Sequence, residues 1–218
     1  MALIVLSAVL VVGAVLGAGF VFGGRYNYRA AHWPAMEPSH PSGEGVWFER
    51  VAPKEIRRGD AVLATAPASW RYDGDVFERV IAVGGDHISW TPGVRTLTLN
   101  GKPLVEPYLN DPAKPAAIAF DVTVPEGRVF LMGDNRASTI DSHLMARYGD
   151  GGTVPLSAVL GVTTGTPIAL PITVAAGILA VPLFLAGGGL GIGSLVARRR
   201  ATRAAHDAVG SWPEAADG

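Results

Sequence analysis

The chain of 218 residues contains no cysteine and has few charged residues. The absence of cysteine excludes a disulfide framework, a thiolate zinc site and a cysteine nucleophile. Charged residues make up 17% of the chain, against about a quarter in an average soluble domain, and this deficit favours a membrane protein. The 18 basic and 19 acidic side chains nearly cancel. The sequence therefore lacks the basic field that holds a nucleic-acid backbone, and we expect no nucleic-acid partner.

The sequence also lacks a metal-binding pattern. Its histidines show no spacing such as HExxH and have no cysteine beside them, so we interpret them as ordinary surface or turn residues. The five are His32, His40, His87, His143 and His206. We expect no metal site and no cofactor.

Two uncharged hydrophobic runs lie near the ends of the chain. The first, residues 2–24, is long enough at about 1.5 Å per residue to cross a hydrocarbon core of about 30 Å. A cleaved secretory signal is the alternative, but no basic residue precedes the run. The second run contains Pro171 and Pro182, which lipid tolerates better than a soluble core does. The sequence thus predicts transmembrane helices over residues 1–24 and 167–197.

The positions of the basic residues predict how the chain is oriented in the membrane. Two arginines, Arg25 and Arg29, follow the first run, and four lie between 198 and 203 after the second. Basic residues favour the cytoplasmic side of a membrane. We therefore expect a cell-membrane protein with two spans and both termini in the cytoplasm. Residues 25–166 form the extracytoplasmic domain, and residues 198–218 form a cytoplasmic tail.

The segment over residues 25–166 has the pattern of a β domain. Short alternating or β-branched runs are separated by turn residues, and Asn100-Gly101 is the strongest hairpin signal because these residues suit positive backbone angles. No stretch keeps a helical period for long. The predicted fold class is mainly β, with this domain held between the two transmembrane helices. The expected strands are 46–51, 61–65, 76–83, 96–99, 118–124 and 128–132.

A series of short motifs runs through this segment in a fixed order. They are Ala35-Met-Glu-Pro-Ser39, Arg58-Gly-Asp-Ala-Val62, Phe77-Glu-Arg-Val-Ile-Ala-Val-Gly-Gly-Asp86, Asn100-Gly-Lys, Glu106-Pro-Tyr108, Met132-Gly-Asp-Asn-Arg136 and Asp141-Ser142. In this order they resemble type I signal peptidase (leader peptidase), and the most specific block is GDNRASTIDSH. The resemblance implies a β-rich domain at the outer membrane face. It also implies a groove in which the extended cleavage region of a secreted precursor adds as a strand.

The resemblance places the catalytic pair of the family at two positions that this chain substitutes. In the family a serine hydroxyl attacks the scissile carbonyl, and a lysine kept neutral by desolvation takes its proton. The serine position is Ala35 here, and the lysine position is Glu78. Because an alanine methyl cannot attack and a glutamate reverses the charge at the base position, we expect the peptidase chemistry to be lost.

Further site positions follow from the same resemblance. Thr139 falls where the family has a serine that positions the lysine amine. Asp141 falls on the family's aspartate near the site, but the arginine expected two residues later is His143, which puts the supporting ion pair in doubt. The bulky Trp33 stands close to the oxyanion site. The residues expected to contact a bound peptide are Trp33, Met36 and Pro38. The residues expected to hold the frame of the site are Gly133, Asp134, Asn135, Arg136 and Ser142.

Two alternatives would keep some chemistry at this site. Ser39 or Ser42 could replace the nucleophile, but a shift of four residues moves the oxygen many ångströms from the oxyanion donors. Glu78 and Asp141 could form a carboxylate pair that activates water, as in aspartic peptidases. The simpler expectation for Glu78 is a solvated or ion-paired side chain.

Three functions stay open on the sequence. The leading hypothesis is a catalytically inactive, membrane-anchored signal peptidase I homologue of the secretion pathway. Such a protein binds preprotein cleavage regions or acts as a regulator or partner of an active signal peptidase. The second hypothesis is a working signal peptidase I with an unorthodox site. The third is a membrane scaffold whose function lies in its helices. The expected partners are membrane lipid, an extended peptide and, under the leading hypothesis, an active signal peptidase.

Overall fold

A computed structural model of the chain describes residues 2–30, 34–167, 170–172, 174–175, 178, 182, 193, 196–197 and 199–204. The chain divides into two compact units, one formed by residues 21–167 and the other by the two chain ends. In the ends, helix α1 covers Ala2–Phe20, and every described residue from 170 to 204 is helical. Within the described part of the chain, no helix combines the length and apolar character needed to cross a bilayer. Most of the second predicted span lies outside the described residues, and both spans stay predictions.

Residues 21–167 form two antiparallel β-sheets, which confirms the mainly β fold class. The strands are β1 (Tyr26–Ala30), β2 (Gly45–Glu49), β3 (Ala61–Thr65), β4 (Asp75–Val83), β5 (His87–Trp90), β6 (Thr98–Leu99), β7 (Lys102–Pro103), β8 (Phe120–Thr123), β9 (Arg128–Met132), β10 (Val154–Pro155) and β11 (Val159–Thr164). The larger sheet has the order β1-β2-β11-β3-β4-β9-β10, and the smaller has the order β7-β6-β5-β8. A helix of one turn, α2 (Ser142–Met145), lies between β9 and β10.

The strands predicted from the sequence are all present. β3 and β9 have the predicted bounds, and β2, β4, β6 and β8 overlap predicted ranges. The predicted Asn-Gly hairpin is confirmed, because Asn100 and Gly101 have φ of 51° and 77° and connect β6 directly to β7. β7 is the second strand of this hairpin, whereas β1, β5, β10 and β11 were not predicted.

The missing prediction of β11 has a structural reason. Gly161 interrupts its β-branched pattern, and a Cβ atom at this position would lie 3.0 Å from the carbonyl oxygen of Glu49. The glycine is thus required by the close approach of β11 to β2, with which it pairs across more than a hundred residues of sequence. A pattern read along the chain does not contain that contact.

The core positions β4 between β3 and β9. One hydrophobic cluster joins the strands of the larger sheet to the turn at Met36, with Phe48 and Phe77 in an edge-to-face contact at 5.1 Å. A second cluster, which includes Ile88, Phe120 and Phe130, packs β9 against the smaller sheet. Both clusters hold the middle of β4 and the loop after β9 in place, and these two segments carry the candidate site.

Candidate active site

Ala35 lies in a single 3₁₀ turn, Pro34–Met36, next to the loop that follows β9. The residue is buried, and its carbonyl oxygen accepts a hydrogen bond of 2.8 Å from the backbone N–H of Asn135. Met36 is fully buried and fixes the turn from the core side. The position predicted for the nucleophile is therefore held from two sides, but it presents a methyl group in place of a hydroxyl.

Glu78 lies in the middle of β4, and only 1% of its surface is exposed. The Thr139 hydroxyl donates a hydrogen bond of 2.9 Å to its Oε1 atom. Its Oε2 atom is buried and has no hydrogen-bond partner among the described residues. The structure thus brings together the residue predicted for the base position and the residue expected to orient that base.

The expectation of a solvated or ion-paired Glu78 is wrong. The side chain is buried, and none of the ion pairs between described residues includes it. The physical reason is the segment after β9, which places Thr139 and the charges of Asp141 and Arg136 against this face of the sheet. An exposed position would have required an edge strand or a face open to solvent.

Burial raises the pKa of the Glu78 carboxyl well above its ordinary value of 4.5. The negative charge of Asp141 raises this pKa further, whereas the hydrogen bond from Thr139 and the positive charge of Arg136 lower it. Desolvation of a charged group is the largest of these effects. Glu78 therefore stays a neutral acid over a wider pH range than an exposed glutamate does.

Asp141 and His143 form a buried pair behind the site, and neither is exposed. The Nδ1 atom of His143 contacts Oδ1 of Asp141, and its Nε2 atom accepts a hydrogen bond of 3.2 Å from the backbone N–H of Ala117. Since Nε2 is the acceptor, the proton of the neutral ring lies on Nδ1 and is donated to the aspartate. A histidine thus occupies the place of the arginine whose absence put the pair in doubt.

Asp141 also organises the segment around it. Its carboxylate accepts backbone N–H bonds from His143, Leu144 and Gly133, and so caps α2 and holds the end of β9. The neighbouring Ser142 is buried, and its Oγ atom accepts a hydrogen bond of 2.8 Å from the N–H of Leu131. Both side chains act on the backbone that carries the site.

The residues expected to hold the frame of the site begin at Gly133, and they link the loop after β9 to the turn at Ala35. A Cβ atom at Gly133 would lie 2.7 Å from the carbonyl oxygen of Ala35 and 2.9 Å from Oγ1 of Thr139. Only a glycine permits this approach. The next residue, Asp134, forms a bidentate pair with Arg79 at 2.8 and 2.6 Å.

Arg136 fixes the other side of the same loop. Its guanidinium donates to the carbonyl oxygens of Gly133 and Pro115 and pairs with Glu106, and both side chains of that pair are 2% exposed. Tyr108 donates a hydrogen bond of 3.1 Å to the same glutamate. The role predicted for the motif, a network that holds the strands around the site, fits these contacts.

Ala35, Glu78 and Thr139 line one open pocket of about 310 Å³. The other described residues in its wall are Pro34, Tyr72, Asp75, Val76, Phe77, Ala137, Ser138 and Ile140. The wall is mainly apolar, with three hydroxyl groups and two carboxyl groups. A pocket of this size accepts a small side chain of a peptide.

The residues expected to contact a bound peptide are not among the described residues of this wall. Trp33 lies outside the described residues. Met36 is buried in the core, and Pro38 is exposed on the turn after Ala35. Peptide contact by these three residues stays a prediction. Ser39 and Ser42 are exposed, and neither lines the pocket.

Sequence reasoning missed several residues of the site. Tyr72 and Asp75 line the pocket, and Arg79 and Glu106 hold the frame through buried ion pairs. The signal for Arg79 and Glu106 was present, since both lie inside motifs that carried the resemblance. Tyr72 and Asp75 gave no such signal. Among the described residues, no group of acidic or histidine side chains is arranged to hold a metal ion.

Comparisons with known proteins indicate one family. Residues 1–166 match the family model described as signal peptidase, peptidase S26. A probable signal peptidase I from Mycobacterium leprae (strain TN) is 35% identical, and the alignment covers 50% of this chain and 47% of that protein. Signal peptidase I from Bacillus licheniformis is 33% identical, with 50% of this chain and 61% of that protein covered.

A solved structure is also similar to the chain. The crystal structure of a signal peptidase I from Enterococcus faecalis V583 is 29% identical, covers 50% of this chain and 97% of that chain, and superimposes with a TM-score of 0.40. The chain spans about half the length of the curated relatives it matches. With three quarters of its residues matched by the family model, the chain belongs to the signal peptidase family, peptidase S26.

Proposed function

We propose that this protein is a catalytically inactive signal peptidase homologue that binds the cleavage region of preproteins. In this role it competes with, or presents substrates to, an active signal peptidase. The observation that carries the proposal is the pocket in which Ala35, Glu78 and Thr139 meet. This pocket has the walls of a binding site, but a methyl group and a buried acid stand at the positions of the nucleophile and the base.

Both substitutions remove steps that the family reaction needs. A methyl group has no lone pair with which to attack a carbonyl. A carboxyl that burial keeps neutral accepts a proton from a hydroxyl poorly. Loss of the nucleophile in a serine peptidase reduces the rate by about six orders of magnitude, so the second substitution adds little to the loss.

The ion pairs around the pocket favour a site that still binds a ligand over a site that has lost its function. The Arg79–Asp134 and Arg136–Glu106 pairs are both largely buried. Breaking such a pair by removing one partner costs about 3–5 kcal/mol. A site without any role would not need side chains of this kind to hold its walls.

The proposal includes the membrane arrangement expected from the sequence, with two spans, the β domain outside and both termini in the cytoplasm. Reporter fusions test it directly. A fusion after residue 166 is expected to report the outer side, and a fusion after Arg203 is expected to report the cytoplasm. A cytoplasmic signal from the fusion after residue 166 would contradict the arrangement.

A cleavage assay tests inactivity and its cause together. The unmodified protein in detergent is expected to leave a preprotein uncut above background. Ala35→Ser alone lacks a base, and Glu78→Lys alone lacks a nucleophile, so both stay inert. The double variant is expected to cleave slowly, because Thr139 is already placed to orient the new amine. The two changes are therefore expected to be strongly non-additive.

One observation favours a working enzyme with an unorthodox site as the second candidate. The Thr139 hydroxyl and the Glu78 carboxyl form a hydroxyl–acid pair within the pocket. Under this alternative the unmodified protein cleaves preproteins, Ala35→Gly leaves the rate unchanged, and Thr139→Val or Glu78→Gln abolishes it. That set of results would replace the inactive homologue as the function.

Peptide binding is tested independently of cleavage. Precursor peptides with a photo-crosslinker and small residues at the cleavage-site positions are expected to label the protein more strongly than scrambled peptides do. Equal labelling by both peptides would leave the membrane scaffold as the better hypothesis.

A further inference from the structure

The pocket at Ala35 has an unusual charge pattern. Two of its described wall residues, Asp75 and Glu78, carry carboxyl groups, and none is lysine, arginine or histidine. Most of the other wall residues are apolar, and hydroxyl groups of Tyr72, Ser138 and Thr139 complete the wall. The pocket therefore offers oxygen acceptors and an apolar surface, but no positive charge of its own among these residues.

Glu78 leaves the pocket with a carboxyl oxygen that has no partner among the described residues: the ionised form lacks a donor, and the neutral form lacks an acceptor for its proton. Its Oε1 atom accepts the Thr139 hydroxyl, but its buried Oε2 atom has no hydrogen-bond partner among the described residues. A buried polar atom without a partner is unfavourable, and more so when it is charged. A donor that enters the pocket would satisfy this oxygen, and a positively charged donor would also offset the charge of the carboxylate.

We propose that this pocket binds a primary ammonium group carried on an apolar stem, either a lysine side chain or the free N-terminus of a peptide. The apolar wall from Pro34, Val76 and Ile140 would contact the stem, and Glu78 would accept from the ammonium with Asp75 as a second carboxylate. The inference rests on the proposed peptide-binding function and names the chemistry of the group that is bound.

The state of Glu78 makes this binding dependent on pH. Burial and Asp141 raise the pKa of Glu78, so the acid is neutral when the pocket is empty at low pH. An ammonium favours the carboxylate and therefore displaces the proton. Affinity for the ammonium is expected to rise with pH as Glu78 ionises and to fall again when the amine loses its own proton, at about pH 10 for a lysine side chain and about pH 8 for a peptide N-terminus.

Matched peptides test the proposal on the full chain in detergent. A set of extended peptides, acetylated at the N-terminus and labelled for fluorescence anisotropy, carries lysine at one position after another. Norleucine replaces each lysine in the control set, since it keeps the apolar stem and removes the ammonium. One lysine position is expected to bind about 10- to 100-fold more tightly than its norleucine partner. A second arm compares free and acetylated N-termini, and so separates the two sources of the amine.

Variants of two acidic residues test whether Glu78 causes the preference for lysine peptides over norleucine peptides. Glu78→Gln keeps the shape of the side chain and is expected to abolish the preference for lysine while norleucine peptides bind as before. Asp73→Asn removes an exposed carboxylate that does not line the pocket and is expected to keep the preference. Unfolding followed by circular dichroism confirms that each variant is folded. The pH dependence of the unmodified protein provides a second test that needs no substitution.

A small amine separates this inference from the proposed function. n-Butylammonium is expected to raise the unfolding temperature of the unmodified protein but not that of Glu78→Gln, and n-butanol at equal concentration is expected to do neither. Stabilisation by the amine without binding of any peptide would support the ammonium site and reject peptide binding. Equal affinity for lysine and norleucine peptides at every position and pH, with no response to n-butylammonium, would overturn the ammonium site alone.

Discussion

The Thr139 hydroxyl donates a hydrogen bond of 2.9 Å to Oε1 of Glu78. In the arrangement that the family resemblance implies, a hydroxyl at this place accepts from a lysine amine. Here the partner is an acid, so the same hydroxyl acts as the donor. A hydroxyl both donates and accepts, so a threonine at this place can face either an amine or a carboxyl.

The buried acid makes the stability of the domain depend on pH. Because the pKa of Glu78 is raised in the folded state, the contribution of this carboxyl to stability is fully present below its ordinary pKa near 4.5. It is lost as the pH rises through the folded-state pKa. Glu78→Gln removes the ionisation, so the variant is expected to gain stability relative to the unmodified protein as the pH rises above about 4.5. A tenfold difference in the acid dissociation constant between the folded and unfolded states corresponds to about 1.4 kcal/mol of stability.

The measurement is chemical denaturation of the unmodified protein and of Glu78→Gln from pH 4 to pH 9. The difference in free energy of unfolding is expected to grow with pH and then level off above the folded-state pKa. Asp73→Asn is the control, because this exposed carboxylate has no buried environment to lose. A difference between the proteins that is constant over the whole range would contradict the burial of a titrating Glu78.

Removal of the hydroxyl that faces Glu78 tests the same contact from the other side. Thr139→Val keeps the size of the side chain and leaves neither carboxyl oxygen with a hydrogen-bond donor among the described residues. The expected cost is about 1–3 kcal/mol. In a Glu78→Leu background the same change is expected to cost less, since no carboxyl then needs the donor. Equal costs in both backgrounds, measured by urea unfolding, would show that the hydrogen bond contributes nothing.

Much of the fold could be predicted because its signals are local. The bounds of β3 and β9 follow from short hydrophobic runs between turn residues, and the Asn100-Gly101 turn follows from the backbone angles that these residues favour. The meeting of Ala35 and Glu78 in one pocket was implied by the order of motifs, not by periodicity. These parts needed no knowledge of which strands pair.

The rest depends on contacts between distant segments. Glutamate is rarely buried, and the segment after β9 that lies against Glu78 is distant in sequence, with Thr139 standing 61 positions after it. The bond of Arg79 to Asp134 joins residues 55 positions apart, and no local pattern reports it. The pairing of His143 with Asp141 was missed for a related reason: an arginine was expected at that place, and whether a shorter side chain reaches depends on the packing around α2.

Two histidine–aspartate pairs among the described residues provide a matched comparison. His143 and Asp141 are fully buried, whereas the side chains of His87 and Asp121 are 44% and 76% exposed. His143→Leu leaves the backbone N–H of Ala117 without its acceptor and removes a donor from Asp141. The expected cost is roughly 2–4 kcal/mol. His87→Leu is expected to cost less than about 1 kcal/mol, since exposed ion pairs contribute little. Similar midpoints of thermal unfolding for the two variants would contradict a structural role for the buried pair.

The close approach of the loop after β9 to the turn at Ala35 depends on a missing side chain at Gly133. In Gly133→Ala the new Cβ would lie 2.7 Å from the carbonyl oxygen of Ala35 and 2.9 Å from Cβ and Oγ1 of Thr139. These distances are too short for unbonded atoms, so the backbone has to move, and overpacking of this kind costs about 1–3 kcal/mol. The movement is expected to weaken the hydrogen bond from the Asn135 N–H to the Ala35 carbonyl.

Gly165→Ala is the control for this prediction, since a Cβ there meets no atom within 4 Å. We expect Gly133→Ala to lower the free energy of unfolding and accelerate hydrogen exchange at the amide of Asn135, with Gly165→Ala changing neither. Unaltered exchange at this amide in Gly133→Ala would show that the loop and the turn do not depend on the glycine.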